Sequence, residues 1–291
     1  MKRIKPADRD FFASWKPLTE FVSCEYSFAN LVIWGELYDI CWKEERGVPV
    51  IYIGRDKCLM FPHIPALTVT KLYSMLRKTS CNEPGAAVSQ VPPEWIAGAS
   101  DLSQFFEPEE NPDFTDYIHS VDRLRELSGR KLRKKRNLIV QFETAFPDYH
   151  VEQLNAGHFK DCLDMARSQT DSIGEKNEEL SAMRRAFSLY NELGLDGLTV
   201  YASGKLAAFA VFSRHIDSSY VVHFEKNDTS FKGAAQFINR RTAEYLSGKT
   251  EYINREQDLG IPGLRKAKRS YDPDTLLVNF KLNPLSLIAE G

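Results

Sequence analysis

The pattern of hydrophobic and polar residues is most regular in the second half of the chain. Helical stretches there carry apolar side chains at spacings of three and four, and strands are short apolar runs between turn residues. The pattern predicts, in order, a strand, two helices, three strands, a helix, a strand, a helix and a last strand. These elements cover 150–154, 156–167, 180–194, 198–202, 206–213, 220–226, 233–245, 252–253, the residues after Pro262, and 276–282.

The first half of the chain follows the same order of elements more loosely. Helices are predicted at 7–19, 27–36 and 66–78, and strands at 38–42, 48–54, 57–63 and 86–91. The stretch Glu107–Asp116 has the proline-rich, acidic composition of a linker and places a boundary near residue 110. We predict an α/β (α+β) protein of two domains, residues 1–110 and 111–291. Each would hold a mixed, mostly antiparallel sheet flanked by helices.

The composition excludes several classes of protein. Lys and Arg number 38 against 40 Asp and Glu, so the net charge of −2 lacks the basicity of a protein that coats nucleic acid. Five cysteines without a Cys-x-x-Cys pair, and six histidines without a His-x-x-x-His pair, argue against a disulfide framework and a zinc site. No apolar run approaches the roughly 18 residues of a membrane helix, and no export signal is visible. We expect a cytoplasmic protein without a metal.

Two local clusters of basic residues stand out against this neutral background. The first holds eight Lys and Arg residues between positions 123 and 136, and is either a phosphate or tRNA contact surface or a solvated helix face. The second, at 255–269, either binds an anion or forms an internal ion-pair network. The residues singled out are Arg133, Lys134, Lys135 and Arg136 in the first cluster, and Arg255, Arg265 and Lys268 in the second.

The strand at 220–226 carries the candidate acid–base residues. Alternation places His223 and Glu225 on one face, and Phe224 and Lys226 on the other. Acyl transfer to an amine requires the amine to be neutral, so Glu225, and secondly His223, are candidate proton acceptors. Lys226 can stabilise a developing oxyanion. The alternative is that the His and the Glu only hydrogen-bond to neighbouring strands.

Three segments resemble a known family. They are 127–137, His223–Lys226 with Gly233 and Asn239 downstream, and 252–271. Together they resemble the uncharacterised bacterial family related to the C-terminal domain of phosphatidylglycerol lysyltransferases, which is similar to tandem-GNAT, Fem-type aminoacyltransferases. The predicted order of elements is also the GNAT order. The resemblance implies two tandem GNAT-like acyltransferase domains.

The segment that opens the helix at Gly233 departs from the GNAT pattern. GNAT enzymes that use acyl-CoA carry a Gln/Arg-x-x-Gly-x-Gly/Ala segment whose amides hold the pyrophosphate at a helix start. Gly233 and Ala235 fit that segment and Lys232 can assist, but Ser230 occupies its first position. The departure favours a donor carried on tRNA over ordinary acetyl-CoA.

The expected function is transfer of an aminoacyl group from aminoacyl-tRNA, or an acyl group from CoA, to an amine or hydroxyl. The acceptor would belong to a small molecule, peptide or lipid headgroup, and attack would be direct, without a covalent enzyme intermediate. Glu225 would accept the proton, Tyr271 could donate one to the leaving group, and Lys226 with the second basic cluster would hold anionic parts. The alternative is a non-catalytic GNAT-like module that binds an anionic metabolite or RNA.

Overall fold

A computed structural model describes residues 1–169 and 175–285. The chain forms two compact units, which we call unit 1 (Met1–Thr115 with the segment from Leu277) and unit 2 (Asp116–Leu276). The helices are α1 Arg9–Ser14, α2 Phe28–Ile33, α3 Val69–Thr79, α4 Pro93–Gly98, α5 Val121–Glu126, α6 Arg133–Ala145, α7 Phe159–Ser168, α8 Glu175–Ser188, α9 Ala234–Leu246 and α10 Pro262–Arg269. None of the described helices is both long and apolar enough to span a bilayer.

The strands form one sheet in each unit. They are β1 Lys2–Arg3, β2 Ile40–Glu45, β3 Val48–Ile53, β4 Cys58–Met60, β5 Ala87–Val91, β6 Phe106–Glu110, β7 Asp116–Ser120, β8 His150–Gln153, β9 Asp196–Ala202, β10 Lys205–Ile216, β11 Ser219–Asn227, β12 Tyr252–Asn254, β13 Thr275–Leu277 and β14 Phe280–Pro284. The orders are β1-β2-β3-β4-β5-β14-β6 and β13-β7-β12-β11-β10-β9-β8. Strands β4 and β5 are parallel in the first sheet, and β11 and β12 in the second.

Each unit has its own hydrophobic core. In unit 1, Leu72 and Leu76 of α3 pack with strand residues such as Leu59 and Val88. In unit 2, the apolar faces of α6 and α9 pack against β9 and β10, with Phe142, Phe237 and Phe212 among the buried residues. The helix stripes and apolar strand runs that the sequence predicts are the buried faces of these elements.

The stretch 107–116, predicted as a linker that marks the domain boundary, contains a strand. Residues Phe106–Glu110 form the edge strand β6, which pairs antiparallel with β14. Its acidic side chains are exposed, as is common where a sheet edge is kept from pairing with other chains. Strand β14 lies between β5 and β6, where Leu282 pairs with Val88 and with Pro108, so the C-terminal strand belongs to the first sheet. The predicted second domain, residues 111–291, therefore includes a strand that belongs to unit 1.

The start of α9 packs tightly against α6. Gly233, the N-cap of α9, has φ of +94°, and a Cβ atom there would overlap the carbonyl of Leu138 in α6. Several amides at this helix start already have backbone partners: Ala234 N donates to Phe231 O, and the amides of Gln236 and Phe237 donate to Gly233 O. Helix packing therefore explains the glycine at this position.

Candidate functional site

The candidate site lies in unit 2, where β11 and β12 stop pairing. The two strands are parallel neighbours over only three positions, and β12 ends at Asn254 while β11 continues. Two polar contacts join the diverging segments. Arg255 Nη2 donates to Glu225 Oε1 at 2.8 Å, and His223 Nδ1 lies 3.2 Å from Glu256 Oε1. The wedge between the strands is thus lined by four ionisable side chains.

A buried tyrosine brings the two basic clusters together at this wedge. Tyr271 follows α10 and is 4% exposed. Lys135 Nζ, from α6, lies 4.1 Å from the centre of its ring, and the guanidinium carbon of Arg255 lies 4.6 Å from the same centre. Such cation–aromatic contacts stabilise by about 0.5–2 kcal/mol each, depending on burial. One residue from each basic cluster therefore contacts the same aromatic ring.

The hydrogen-bond donors of this cluster are not all paired within the described residues. Glu225 is the carboxylate that pairs with Arg255, and its second oxygen accepts from Asn239 Nδ2 at 3.2 Å. Arg255 Nη1 is buried without a hydrogen-bond partner among the described residues. Leaving a buried donor unpaired costs about 1–3 kcal/mol, and more for a charged group. The unpaired donor of Arg255, with the cation of Lys135 at the same ring, is arranged to receive a further anionic group.

Burial sets the ionisation of the groups around the ring. It lowers the pKa of Lys135, and the nearby charge of Arg255 acts in the same direction. It raises the pKa of Tyr271 above its ordinary value, although Arg255 opposes this shift. Tyr271 therefore keeps its proton at neutral pH, as a proton donor must.

A neutral histidine lies against the same tyrosine. His119 of β7 is fully buried, and its ring centre is 6.4 Å from that of Tyr271. Burial, followed by the charge of Arg255, lowers the pKa of His119 well below its ordinary value. Neither ring nitrogen has a hydrogen-bond partner within the described part of the chain. His119 adds a second unpaired polar group to this part of the core.

Two residues of the second basic cluster hold the loop after β12 rather than facing the ring. Arg265 makes two bonds to the buried carboxylate of Asp258, at 2.8 and 2.9 Å, and Tyr117 also donates to it. Burial acts to raise the pKa of Asp258, but these hydrogen bonds outweigh it and lower the pKa. Lys268 Nζ donates to the carbonyl of Arg255 at 2.6 Å. For Arg265, these contacts agree with the alternative that the second basic cluster forms an internal ion-pair network.

Lys226 and the residues that open α9 have contacts of their own in unit 2. Lys226 pairs with Glu179 of α8 at 2.9 Å, whereas Glu225 contacts α9 through Asn239. Lys232 is exposed and Ala235 half-buried at the start of α9, where Gly233 packs on α6. A role for Lys232, Gly233 and Ala235 in holding a cofactor stays a prediction.

The four basic residues that open α6 differ in environment. Arg133 and Lys134 are exposed, and Lys135 reaches Tyr271. Arg136 Nη1 donates to the carbonyls of Leu127 and Gly129, so it holds the turn before the helix. Their common role as a phosphate or nucleic-acid surface stays a prediction.

Strict alternation along β11 would place His223 and Glu225 on one face with common partners, but their hydrogen-bond partners differ. The pairing of β10 with β11 shifts at His223, because Val211 pairs with Phe224 while Phe212 pairs with Val222. His223 Nε2 lies 2.8 Å from Ser213 Oγ of β10. A bulge leaves no signature in the hydrophobic pattern, so no pattern in the sequence singles out Ser213 or Glu256.

Potential metal ligands are not grouped in the described part of the chain. Over residues 1–169 and 175–285, no set of three or more His, Cys, Asp or Glu side chains is placed to hold a metal ion.

Comparison with protein families identifies the chain. Residues 16–280 match the model of the family described as phosphatidylglycerol lysyltransferase, C-terminal. The chain belongs to this family. The predicted resemblance is therefore confirmed.

Two proteins of unassigned role are similar to this chain. A conserved protein of unknown function from Bacteroides thetaiotaomicron is 30% identical, with a TM-score of 0.90 over 98% of this chain and 99% of its own. An uncharacterized protein of Mycoplasmoides gallisepticum is 21% identical over 199 residues. That match covers 64% of this chain and 60% of the relative, so the chain spans less than two thirds of the relative's length.

More distant structures show the fold. L-PGS from Bacillus licheniformis is 11% identical with a TM-score of 0.65, over 98% of this chain and 94% of its own. A tandem GNAT protein from the clavulanic acid biosynthesis pathway is 10% identical with a TM-score of 0.51, over 94% of this chain and 93% of its own. The predicted fold class, two tandem GNAT-like domains with mixed sheets flanked by helices, is confirmed.

Proposed function

We propose that unit 2 transfers an acyl group from an anionic donor to an amine or hydroxyl acceptor. The donor would be an aminoacyl-tRNA or an acyl-CoA, and the acceptor a small molecule, peptide or lipid headgroup. Membership of the phosphatidylglycerol lysyltransferase C-terminal family and the GNAT fold support acyl or aminoacyl transfer. The observation that carries the proposal is the unpaired, buried Arg255 Nη1 beside Lys135 at Tyr271.

The roles follow from the contacts. Lys135 and Arg255 would hold a phosphate of the donor. In aminoacyl-tRNA this is the 5′ phosphate of the terminal nucleotide, which also carries the aminoacyl ester; in acyl-CoA it is a phosphate that the pantetheine arm separates from the thioester. Charge-assisted hydrogen bonds to phosphate are among the stronger polar contacts in proteins. Glu225 orients Arg255. Tyr271 is protonated and its ring contacts both cations, and it would supply a proton to the leaving oxygen or sulfur. The role of Glu225 as proton acceptor stays a prediction.

Ligand binding tests the donor site. Thermal unfolding is followed with coenzyme A, acetyl-CoA and charged or uncharged tRNA at fixed salt. A ligand that binds only the folded state at about 100 times its Kd stabilises by about 2.7 kcal/mol, which gives a clear shift. Stabilisation by coenzyme A would select a thioester donor. Stabilisation by tRNA alone, greater when it is charged, would select aminoacyl transfer.

A pair of lysine variants tests whether the site is the one proposed. Lys135→Met should weaken donor binding about ten-fold or more, because one charge-assisted hydrogen bond is worth about 1.5–3 kcal/mol. Lys134→Met is the matched control, since Lys134 is the exposed neighbour on the same helix. Isothermal titration with the donor found above gives both Kd values. Equal weakening in the two variants would show that only the general charge of α6 matters.

Turnover distinguishes an enzyme from a binding module. Donor labelled in its acyl group is incubated with phosphatidylglycerol vesicles or with soluble amines, and label in the organic or the amine fraction identifies the acceptor class. A protein that binds the donor but moves no label to water, lipid or amine would be the non-catalytic module. That alternative is favoured by one observation, namely that both oxygens of Glu225 already have partners in the structure.

A further inference from the structure

Two segments of unit 2 carry many cations and no carboxylate. Residues 127–142 hold six Lys and Arg residues and residues 259–271 hold four, and neither segment contains an Asp or a Glu. The two segments are in contact, because Lys135 Nζ of the first lies 4.1 Å from the ring centre of Tyr271 in the second. They therefore form one joined stretch of unit 2, which we call the basic region.

Several cations of the basic region are exposed and have no carboxylate partner. Within the described part of the chain, no side-chain hydrogen bond or ion pair is made by Arg130, Arg133, Lys134 or Lys266, and all four are exposed. Like charges at neighbouring positions of a helix repel each other, and an anionic surface placed against them removes that repulsion. The basic region is therefore suited to contact an extended anionic surface.

The basic region also exposes large aliphatic side chains. Among the described residues of unit 2, the exposed large apolar side chains are Val140, Leu259, Ile261 and Leu276, and the first three belong to the basic region. Val140 and Leu259 are each 58% exposed, and Ile261 is 48% exposed. Val140 lies two turns from Arg133 on the same face of α6. Aliphatic side chains interspersed with exposed cations are typical of elements that bind at a membrane interface.

Leu259 and Ile261 are held on a turn that the interior of unit 2 fixes in place. The amide of Gly260 donates to Asp258 Oδ1 at 3.0 Å, and the amide of Ile261 donates to Asp258 O at 2.9 Å. The carboxylate of Asp258 is fully buried and accepts two hydrogen bonds from Arg265, at 2.8 and 2.9 Å. The two apolar side chains are thus presented to solvent by an anchored turn.

We propose that the basic region docks unit 2 on the surface of an anionic lipid bilayer. The exposed cations would lie at the level of the headgroup phosphates, and Val140, Leu259 and Ile261 would enter the outer part of the acyl-chain layer. RNA is a poorer fit, because its unpaired bases stack on aromatic side chains and the exposed apolar residues of this region are aliphatic. The inference does not rest on the proposed function, since it concerns association with a bilayer whatever reaction follows.

Cosedimentation with vesicles tests the docking. The parent protein should bind equally to vesicles of phosphatidylcholine mixed with an equal part of either phosphatidylglycerol or phosphatidylserine, because the surface recognises charge rather than one headgroup. Vesicles of phosphatidylcholine alone should bind the protein at least about ten-fold more weakly. Added salt should release it from the anionic vesicles, since exposed charges are screened. Binding confined to phosphatidylglycerol would overturn the inference in favour of a site for that headgroup.

A double variant of the cations tests which residues face the bilayer. Arg133→Gln with Lys266→Gln removes one exposed cation from each segment, and should weaken binding to anionic vesicles about ten-fold or more, because each cation contributes about five-fold. Lys160→Gln with Lys205→Gln is the matched control. It removes the same charge from exposed positions on α7 and at the start of β10, and should bind as the parent does. Equal weakening in both double variants would overturn the inference.

A second double variant tests insertion into the lipid. Leu259→Gln with Ile261→Gln should weaken vesicle binding about ten-fold and leave binding of tRNA unchanged, because only a bilayer offers an apolar layer. Leu276→Gln is the control, since Leu276 is the exposed leucine of unit 2 outside the basic region, and should bind as the parent does. Thermal unfolding of each variant should match that of the parent, because the altered side chains are exposed. Unchanged vesicle binding in the Leu259 and Ile261 variant, or binding of tRNA without binding of vesicles, would overturn the inference and select RNA.

Discussion

Arg255 and Arg265 lie ten positions apart in the sequence, yet they have different tasks because of the side chains they contact. Arg265 is bonded to the buried Asp258, and that pair holds the loop after β12. Arg255 is shared between Glu225 and the ring of Tyr271, and keeps one nitrogen unpaired among the described residues. The residue type is identical, so the partners decide which guanidinium is structural and which can hold a ligand.

A buried histidine in unit 1 predicts how stability depends on pH. His63 is 2% exposed among the rings of Trp15, Tyr26 and Phe61, and burial lowers its pKa to about 4 from 6.5. Between these values the unfolded chain binds a proton that the folded chain does not. The contribution of His63 to the free energy of unfolding should therefore fall by about 1.4 kcal/mol per pH unit as the pH drops from 6.5 towards 4.

The matched variant His63→Leu isolates this contribution. Urea unfolding at pH 7 and pH 5 gives the loss of unfolding free energy for the parent and the variant. Tryptophan fluorescence reports on unit 1, because all four tryptophans lie before residue 116. The parent should lose more stability than the variant between the two pH values. Equal losses would mean that His63 is already protonated in the folded state.

At the scale of elements, the contact between α6 and α9 depends on one glycine. Gly233→Ala should destabilise the protein by about 2 kcal/mol or more beyond the cost of positive φ, because its Cβ would overlap the Leu138 carbonyl. Gly248→Ala is the control, because Gly248 has φ of +76° and no atom within 4 Å of its Cβ position. This substitution should lower the free energy of unfolding by only about 1–2 kcal/mol. Urea unfolding followed by circular dichroism measures both. Equal costs would contradict the tight packing of the two helices.

At the scale of the whole molecule, the C-terminal strand stabilises the unit formed by the N-terminal residues. Leu282 of β14 is fully buried in the core of unit 1, so Leu282→Ala should lower its stability by about 2–5 kcal/mol. Leu285→Ala is the control, since Leu285 is 38% exposed and should change stability by less than about 0.5 kcal/mol. Hydrogen exchange should show faster opening in β5 and β6 for Leu282→Ala. Faster hydrogen exchange confined to β10 and β11 would contradict the strand order.

The sequence predicted well where the signal is local. The stripes of α7 and α9, the hairpin of β9 and β10, and the helix after Pro262 are all present close to their predicted bounds. Helical spacing and turn residues report burial and chain reversal within about a dozen residues, so one sequence suffices for them. The order of these elements, with the quoted segments, was enough to predict the family and the tandem GNAT fold.

Only the tertiary structure decided which distant residues meet. Strand β6 has almost no apolar face, and its pairing with β14 joins residues about 170 positions apart, so its composition resembles a linker. Lys135 and Arg255 belong to separate basic clusters in the sequence, and it is the ring of Tyr271 that they share. The bulge at His223 sends that side chain to Ser213 and Glu256 while Glu225 reaches α9. Hydrophobic periodicity determines which faces are buried, but strand order, register and side-chain partners depend on long-range contacts that leave no periodic signal in the chain.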